Sequence, residues 1–166
     1  MHKILTATLA TGVMAAGIAQ AATTTTSFAV TETVQSTCSA TAATLAFPNY
    51  TPGGGAQTGN TSISVKCSKN TAFTVALNAG STTGDAFAQR LMGSGANTLQ
   101  YNLYTTAALA TIFGDGTGGT GTIAGTGLGV ATANTVQVFG QVPDSATNQA
   151  AVPGSYSDTI TVTVSY

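Results

Sequence analysis

The sequence predicts an all-β domain, a sandwich or a barrel, on three observations. Short runs alternate apolar and polar residues with a period of two, the pattern of a strand with one buried face. Turn chemistry rich in Gly, Asn, Asp and Ser separates these runs. Beyond the N-terminal apolar run, no strong helical periodicity appears.

The N-terminus is expected to be removed. Met1, His2 and Lys3 form a short cationic head, Ile4–Ile18 is apolar and rich in small residues, and Ala19-Gln20-Ala21 is an A-x-A cleavage site. Together they read as a secretory signal over residues 1–21. No other apolar stretch approaches the roughly 20 residues of a helical membrane span. Cleavage after Ala21 leaves one domain's worth of chain.

The first strand is expected at Ser27–Gln35, followed by a brief run at Thr44–Phe47 that ends at Pro48. Gly53-Gly54-Gly55 makes a flexible loop. Thr61–Cys67 places Ile63, Val65 and Cys67 on one face, and Ala72–Asn78 does the same with Phe73, Val75 and Leu77. The four-residue link Ser68–Thr71 makes these two an antiparallel hairpin. Asp85–Met92 reads as a short helix or turn. Leu99–Tyr104 turns Leu99, Tyr101 and Leu103 inward, and Thr135–Val142 turns Val136, Val138 and Val142 inward.

Asp158–Tyr166 is the last strand. Ile160, Val162, Val164 and Tyr166 face one way, and Thr159, Thr161, Thr163 and Ser165 the other. No later segment follows to cover it, and an uncovered strand edge invites pairing with another chain. The Thr-x-Thr pattern is that of a good strand former on a solvated face; no repeat of 20–50 residues supports an ice-binding solenoid.

Composition excludes several functions. Only 5% of residues are charged, against roughly 25% in an average domain. The expected mature chain keeps three cations (Lys66, Lys69, Arg90) and five acids (Glu32, Asp85, Asp115, Asp144, Asp158). Nothing here resembles the clustered Lys and Arg that bind nucleic acid.

The single histidine, His2, leaves with the signal, so no Ser-His-Asp or Cys-His arrangement remains. No G-x-S-x-G elbow is present, and Glu32 with the scattered Asp residues suggests no paired-carboxylate hydrolase. No enzymatic role, catalytic residue, cofactor or metal site is expected. Gly114–Gly129 contains G-x-G-x-x-G matches such as Gly114, Gly116 and Gly119, but no helix follows to form a dinucleotide site. It reads as a mobile hairpin loop or ragged edge.

Two cysteines in an exported chain read as one disulfide, Cys38–Cys67. Val34, Ser36 and Cys38 share one face of the segment before Cys38, and Cys67 lies on the core face of its strand. Closing a loop of about 30 residues stabilises by about 3–4 kcal/mol in the chain-entropy model.

The residues gathered so far resemble the spore coat protein U (SCPU) domain family, found in subunits of archaic, Csu-type chaperone–usher pili. The resemblance is carried by the strand-forming segment leading to Cys38, Leu45-Ala46-Phe47, and Ser64-Val65-Lys66-Cys67. It continues through Leu99-Gln100-Tyr101-Asn102-Leu103-Tyr104 and Gly114-Asp115-Gly116-Thr117. Val138-Phe139-Gly140-Gln141-Val142-Pro143 and Gly154-Ser155-Tyr156-Ser157-Asp158-Thr159, with the closing strand, complete it.

The resemblance implies an incomplete immunoglobulin-like β-sandwich over residues 31–166 whose last strand is supplied by donor-strand complementation. Its groove would be filled first by a periplasmic pilus chaperone and then, at an outer-membrane usher, by the N-terminal strand of a neighbouring pilin subunit. A head-to-tail contact of this kind does not close and builds a filament. The donor would be residues 22–30, with Thr24, Thr26, Phe28 and Val30 on one face. Glu32 shares that face and is costly to bury unpaired, so the donor ends before it and a strand holding Val34 and Cys38 begins after a bend. Ile160, Val162, Val164 and Tyr166 would form the edge strand of the acceptor groove.

The expected function is thus a secreted structural pilin, exported to the periplasm and then to the cell surface, forming fibres for adhesion and biofilm. One alternative is a non-polymerising coat or matrix protein whose sandwich is completed by its own N-terminal strand. Another is a sugar-binding module in which Tyr50 or Tyr104 forms an exposed platform.

Overall fold

The computed structural model describes Gly17 and residues 20–166. The expected signal, apart from Gly17, Gln20 and Ala21, lies outside the described residues. The chain divides into two units after Thr33. In the first, residues 20–33 are exposed and form neither helix nor strand.

The second unit, Val34–Tyr166, is an all-β sandwich of two antiparallel sheets. Its strands are β1 (Cys38–Ala42), β2 (Gln57–Cys67), β3 (Ala72–Leu77), β4 (Arg90–Ser94), β5 (Asn97–Tyr104), β6 (Ile123–Thr126), β7 (Asn134–Val142) and β8 (Val162–Ser165). One four-residue helix, α1 (Ala146–Gln149), lies between β7 and β8. The sheet orders are β1-β2-β7-β5-β4 and β6-β3-β8.

The period-two pattern places the core as read. Ile63, Val65, Leu99, Tyr101, Leu103, Val136, Val138 and Val142 bury the inner face of the large sheet. Phe73, Val75 and Leu77 bury that of the small one. Phe113 joins them from the connection before β6. Cys38 and Cys67 are register partners on β1 and β2 and are joined by the expected disulfide.

Several expectations about elements are corrected. Ser27–Gln35 forms no strand, and Val34 is 89% exposed, because this segment has no neighbouring strand to satisfy its backbone groups. Regular structure begins instead at Cys38, where pairing with β2 begins. Thr44–Phe47 is not a strand either, although Leu45 and Phe47 pack against the core.

The β2–β3 pair is not a hairpin. β2 pairs with β1 and β7, whereas β3 pairs with β6 and β8, so Ser68–Thr71 carries the chain from one sheet to the other. Asn70 makes the corner with φ of 63°, and the apolar faces of β2 and β3 meet across the core instead of lying side by side.

Of the short helix or turn expected at Asp85–Met92, the turn is found. It is a tight turn bridged at Ala86 and Gln89 that leads directly into β4. Arg90 there is fully buried, donating to Asn102 Oδ1 and to the carbonyls of Asn78 and Phe113, each at 2.7 Å. Of the two readings of Gly114–Gly129, the edge is the one found: Gly121 bridges Phe113, and β6 pairs with β3 at the margin of the small sheet.

Candidate functional site

The two sheets part on one side, between the end of β1 with the residues that follow it and the start of β8 with the residues that lead into it. β1 is an edge of the large sheet and β8 an edge of the small one. A groove of about 310 Å³ opens there into the core. Ala42–Leu45 and Phe47 line one wall, Asp158–Ile160 and Val162 the other, and Ile63, Leu77, Leu103 and Val138 lie between them.

The first wall is held by two glycines. Gly59 on β2 and Gly140 on β7 are register partners. A Cβ at Gly140 would lie 2.7 Å from Phe47 Cζ, and one at Gly59 would lie 3.3 Å from Leu45. The missing side chains create the slot into which Leu45 and Phe47 fold. The adjoining Ala43 is pinned to β2: its N–H donates to Ser62 O at 3.2 Å, and its carbonyl accepts from Thr61 Oγ1 at 2.8 Å.

The second wall is β8 and the residues leading to it. Asn78 N–H donates to Thr161 O at 3.1 Å, continuing the β3–β8 register one step beyond Leu77 and Val162. In an antiparallel ladder, hydrogen-bonded and non-hydrogen-bonded pairs alternate. The backbone groups of Val162 and Val164 therefore point away from β3, to the open edge. Their side chains, with that of Ile160, pack half-buried against the core.

The expected strand Asp158–Tyr166 is thus regular only over Val162–Ser165, and Tyr166 beyond it is 61% exposed. Its N-terminal half leaves the ladder for specific anchors. Asn78 Oδ1 accepts from Thr161 N–H at 2.8 Å. Asp158 Oδ2 accepts from the Tyr101 hydroxyl at 2.5 Å, and Asp158 Oδ1 from Ser81 N–H at 2.9 Å and Ser81 Oγ at 3.0 Å. Burial acts to raise the Asp158 carboxyl, but the bonds from Tyr101 and Ser81 outweigh it and hold it below the usual carboxylate range. Burial and the Asp158 bond push the Tyr101 hydroxyl far above its ordinary value.

Of the sequence-read groove residues, Ile160 and Val162 line the opening, Val164 continues the same face, and Tyr166 lies past the strand end. Thr24, Thr26, Phe28 and Val30 lie in the separate N-terminal unit and are exposed, Phe28 by 87% and Val30 by 84%. Tyr50 is not the exposed platform considered from the sequence. Its hydroxyl donates to Asp144 Oδ1 at 2.5 Å, and Asp144 also accepts from Gly53 and Gly55 N–H, so the pair ties down the glycine loop. Burial and the Asp144 bond push Tyr50 up to about 12.

Sequence reasoning missed the polar anchors. Asp144 and Asp158 read as ordinary turn residues, and Asn102 and Asn148 gave no signal at all. Asn148 is fully buried and pairs its amide with both backbone groups of Gln100, N–H to Oδ1 at 2.8 Å and Nδ2 to the carbonyl at 2.9 Å. It replaces a neighbouring strand at that point of β5.

The fold is similar to a solved structure, the CsuC–CsuE chaperone–tip adhesion subunit pre-assembly complex from archaic chaperone–usher Csu pili of Acinetobacter baumannii. The TM-score is 0.56 at 23% identity, over 81% of this chain and 41% of that one. The present chain therefore spans well under half the length of that relative. The expected incomplete immunoglobulin-like sandwich is the fold found. No curated protein matches the chain. The family model of the Spore Coat Protein U domain matches residues 24–163, nearly the whole chain including the segment before β1, and the protein belongs to that family.

Proposed function

We propose that the chain is a structural pilin subunit, not an enzyme, that polymerises by donor-strand exchange into surface fibres serving adhesion and biofilm formation. Residues 1–21 direct export to the periplasm, residues 22–30 are the donor strand, and residues 31–166 are the acceptor sandwich. A periplasmic pilus chaperone fills the groove first, and at the outer-membrane usher the donor of a neighbouring subunit replaces it. Membership of the Spore Coat Protein U family and the likeness to a subunit solved with its chaperone support this reading.

One observation carries it: the core lies open between the segment after β1 and the segment entering β8, and the backbone groups of Val162 and Val164 on the adjoining strand point away from β3. An added strand gains affinity from backbone hydrogen bonds and specificity from alternate side chains seated in pockets. Phe28 and Val30 are two such side chains, and burying both is worth about 3–6 kcal/mol. Thr24 and Thr26 extend the same face at less hydrophobic gain.

Deleting Ala22–Val30 tests the reading. The truncated chain is expected to bind its chaperone and to yield no fibre, with no ladder of oligomers on unheated gels. Fibres that persist would refute the donor assignment. A full chain that is monomeric and fully folded without any chaperone would favour a self-completed coat or matrix protein.

A further inference from the structure

A second concavity, of about 240 Å³, lies on β5 and β7 and the turn before β4. Gln100, Asn102 and Tyr104 project from β5 to the side opposite Leu99, Tyr101 and Leu103, because side chains alternate along a strand. Gln141 is the register partner of Asn102, and Phe139 that of Tyr104, so the amides and the aromatic rings sit side by side. Gln89 and Ala88 close one rim and Pro143 the other.

The chemistry of this lining is narrow. No lining residue carries a charge. Arg90, the nearest cation, is fully buried, with its two terminal nitrogens committed to Asn102 and to the Asn78 and Phe113 carbonyls. Asn102 is committed in turn, its Nδ2 donating to Phe87 O and Ala88 O, so it forms a fixed floor. Gln100 is preset as well, with Oε1 accepting from Ser145 Oγ at 3.0 Å, which leaves its Nε2 to donate. The amides of Gln89 and Gln141 and the Tyr104 hydroxyl remain at the concavity for an outside partner. Each amide offers a donor pair and an acceptor, the complement of neighbouring hydroxyls on one ring.

We propose that this concavity is a binding site for a neutral saccharide, with Gln89, Gln100 and Gln141 bonding its hydroxyls and Tyr104 packing beside the ring. An anion finds no free cation here, and an apolar ligand would strand the amides unpaired. The volume suits about one sugar ring, below the size of drug-scale pockets. The site lies outside the groove between β1 and β8 and does not depend on whether that groove accepts a strand. Of the two tyrosines considered as a sugar platform from the sequence, Tyr50 is occupied by Asp144, whereas Tyr104 stands beside the amides of this concavity.

The test is saturation-transfer NMR on the full chain with maltose, cellobiose and diacetylchitobiose, and with a glucuronate disaccharide as the charged control. A site of this size predicts a dissociation constant on the order of 1 mM for at least one neutral probe. Gln89→Met and Gln141→Met keep side-chain volume and remove the bonding groups, and each is expected to weaken binding by about tenfold, whereas Gln137→Ala at an exposed position of β7 leaves it unchanged. Circular dichroism checks that the variants stay folded. The proposal is overturned if no neutral probe binds at about 10 mM, if the charged control binds as well as the neutral probes, or if folded Gln89→Met and Gln141→Met chains bind as the parent does.

Discussion

The Tyr101 hydroxyl on β5 donates to the carboxylate of Asp158 at 2.5 Å, joining the large sheet to the segment that enters β8. Both residues line the groove, and Tyr101 also meets the ring of Phe47 edge-on, with centroids 6.3 Å apart. One side chain therefore touches both walls. The groove is held at a set width while it stands open, which would lower the ordering cost of the strand proposed to enter it.

Tyr101→Phe removes the bond and keeps the ring. Denaturant titration is expected to show a loss of about 1–2 kcal/mol at neutral pH, the lower part of the range for a bond to an ion, because Asp158 keeps some contact with solvent. The folded Asp158 carboxyl lies below its unfolded value of about 3.9. Its contribution is therefore present above that value and is lost as the pH falls through the lower folded one. The difference between parent and Tyr101→Phe should be full at pH 6 and shrink steadily below about pH 4; a difference that does not change with pH contradicts the assignment.

Arg90 is the largest fully buried side chain and the hub between β4, β5 and the Phe113 connection. Arg90→Ala leaves Asn102 and the Asn78 and Phe113 carbonyls without their donor. Each unsatisfied acceptor costs about 1–3 kcal/mol, so the sum approaches the whole stability of an ordinary domain. The variant is expected to fail to accumulate in folded form, measured as protease-resistant protein in extracts of the producing cells. Stable expression at the parental level would show that the cluster is dispensable.

Gly140→Ala acts on the other wall. The added Cβ lands on the Phe47 ring and forces Phe47 from its slot, at a cost of about 1–3 kcal/mol for overpacking. Phe47→Ala in the same chain should relieve the clash, so the double variant should be less destabilised than the two single changes added together. Additive losses in melting experiments would mean that Phe47 does not lie on Gly140.

What could be read from the sequence was what repeats. β2, β3, β5 and β7 alternate strictly enough that Ile63, Val75, Leu103 and Val138 are placed in the core by period alone. Pairing was less legible. A four-residue link suits either a hairpin or a crossing between sheets, and only the partners that β2 and β3 find elsewhere, β1 and β7 for one and β6 and β8 for the other, decide it. The turn before Arg90 was one of the two readings, but the burial of Arg90 was not legible because a buried cation is defined by acceptors distant in sequence, at Asn102 and Phe113.

The anchors of the groove were hidden for the same reason. Asp158 looks like any turn aspartate until Tyr101 and Ser81 are brought to it across 57 and 77 residues of chain. The alternating face Ile160, Val162 and Val164 was visible, yet its strand is shorter than the pattern, since Asp158 and Thr161 are drawn off to side-chain partners. Strand pattern also overreached at Ser27–Gln35, where alternation is present but no neighbouring strand is.

The central claim is that the edge of β8 receives the N-terminal segment of another copy, and hydrogen exchange at the Val162 and Val164 amides tests it most directly. In assembled full-length protein both amides should be protected by about a hundredfold or more relative to the chaperone-free chain lacking Ala22–Val30, and protection should rise with the oligomer fraction. Equal protection in the truncated chain, or full protection in a full-length monomer, would contradict the claim.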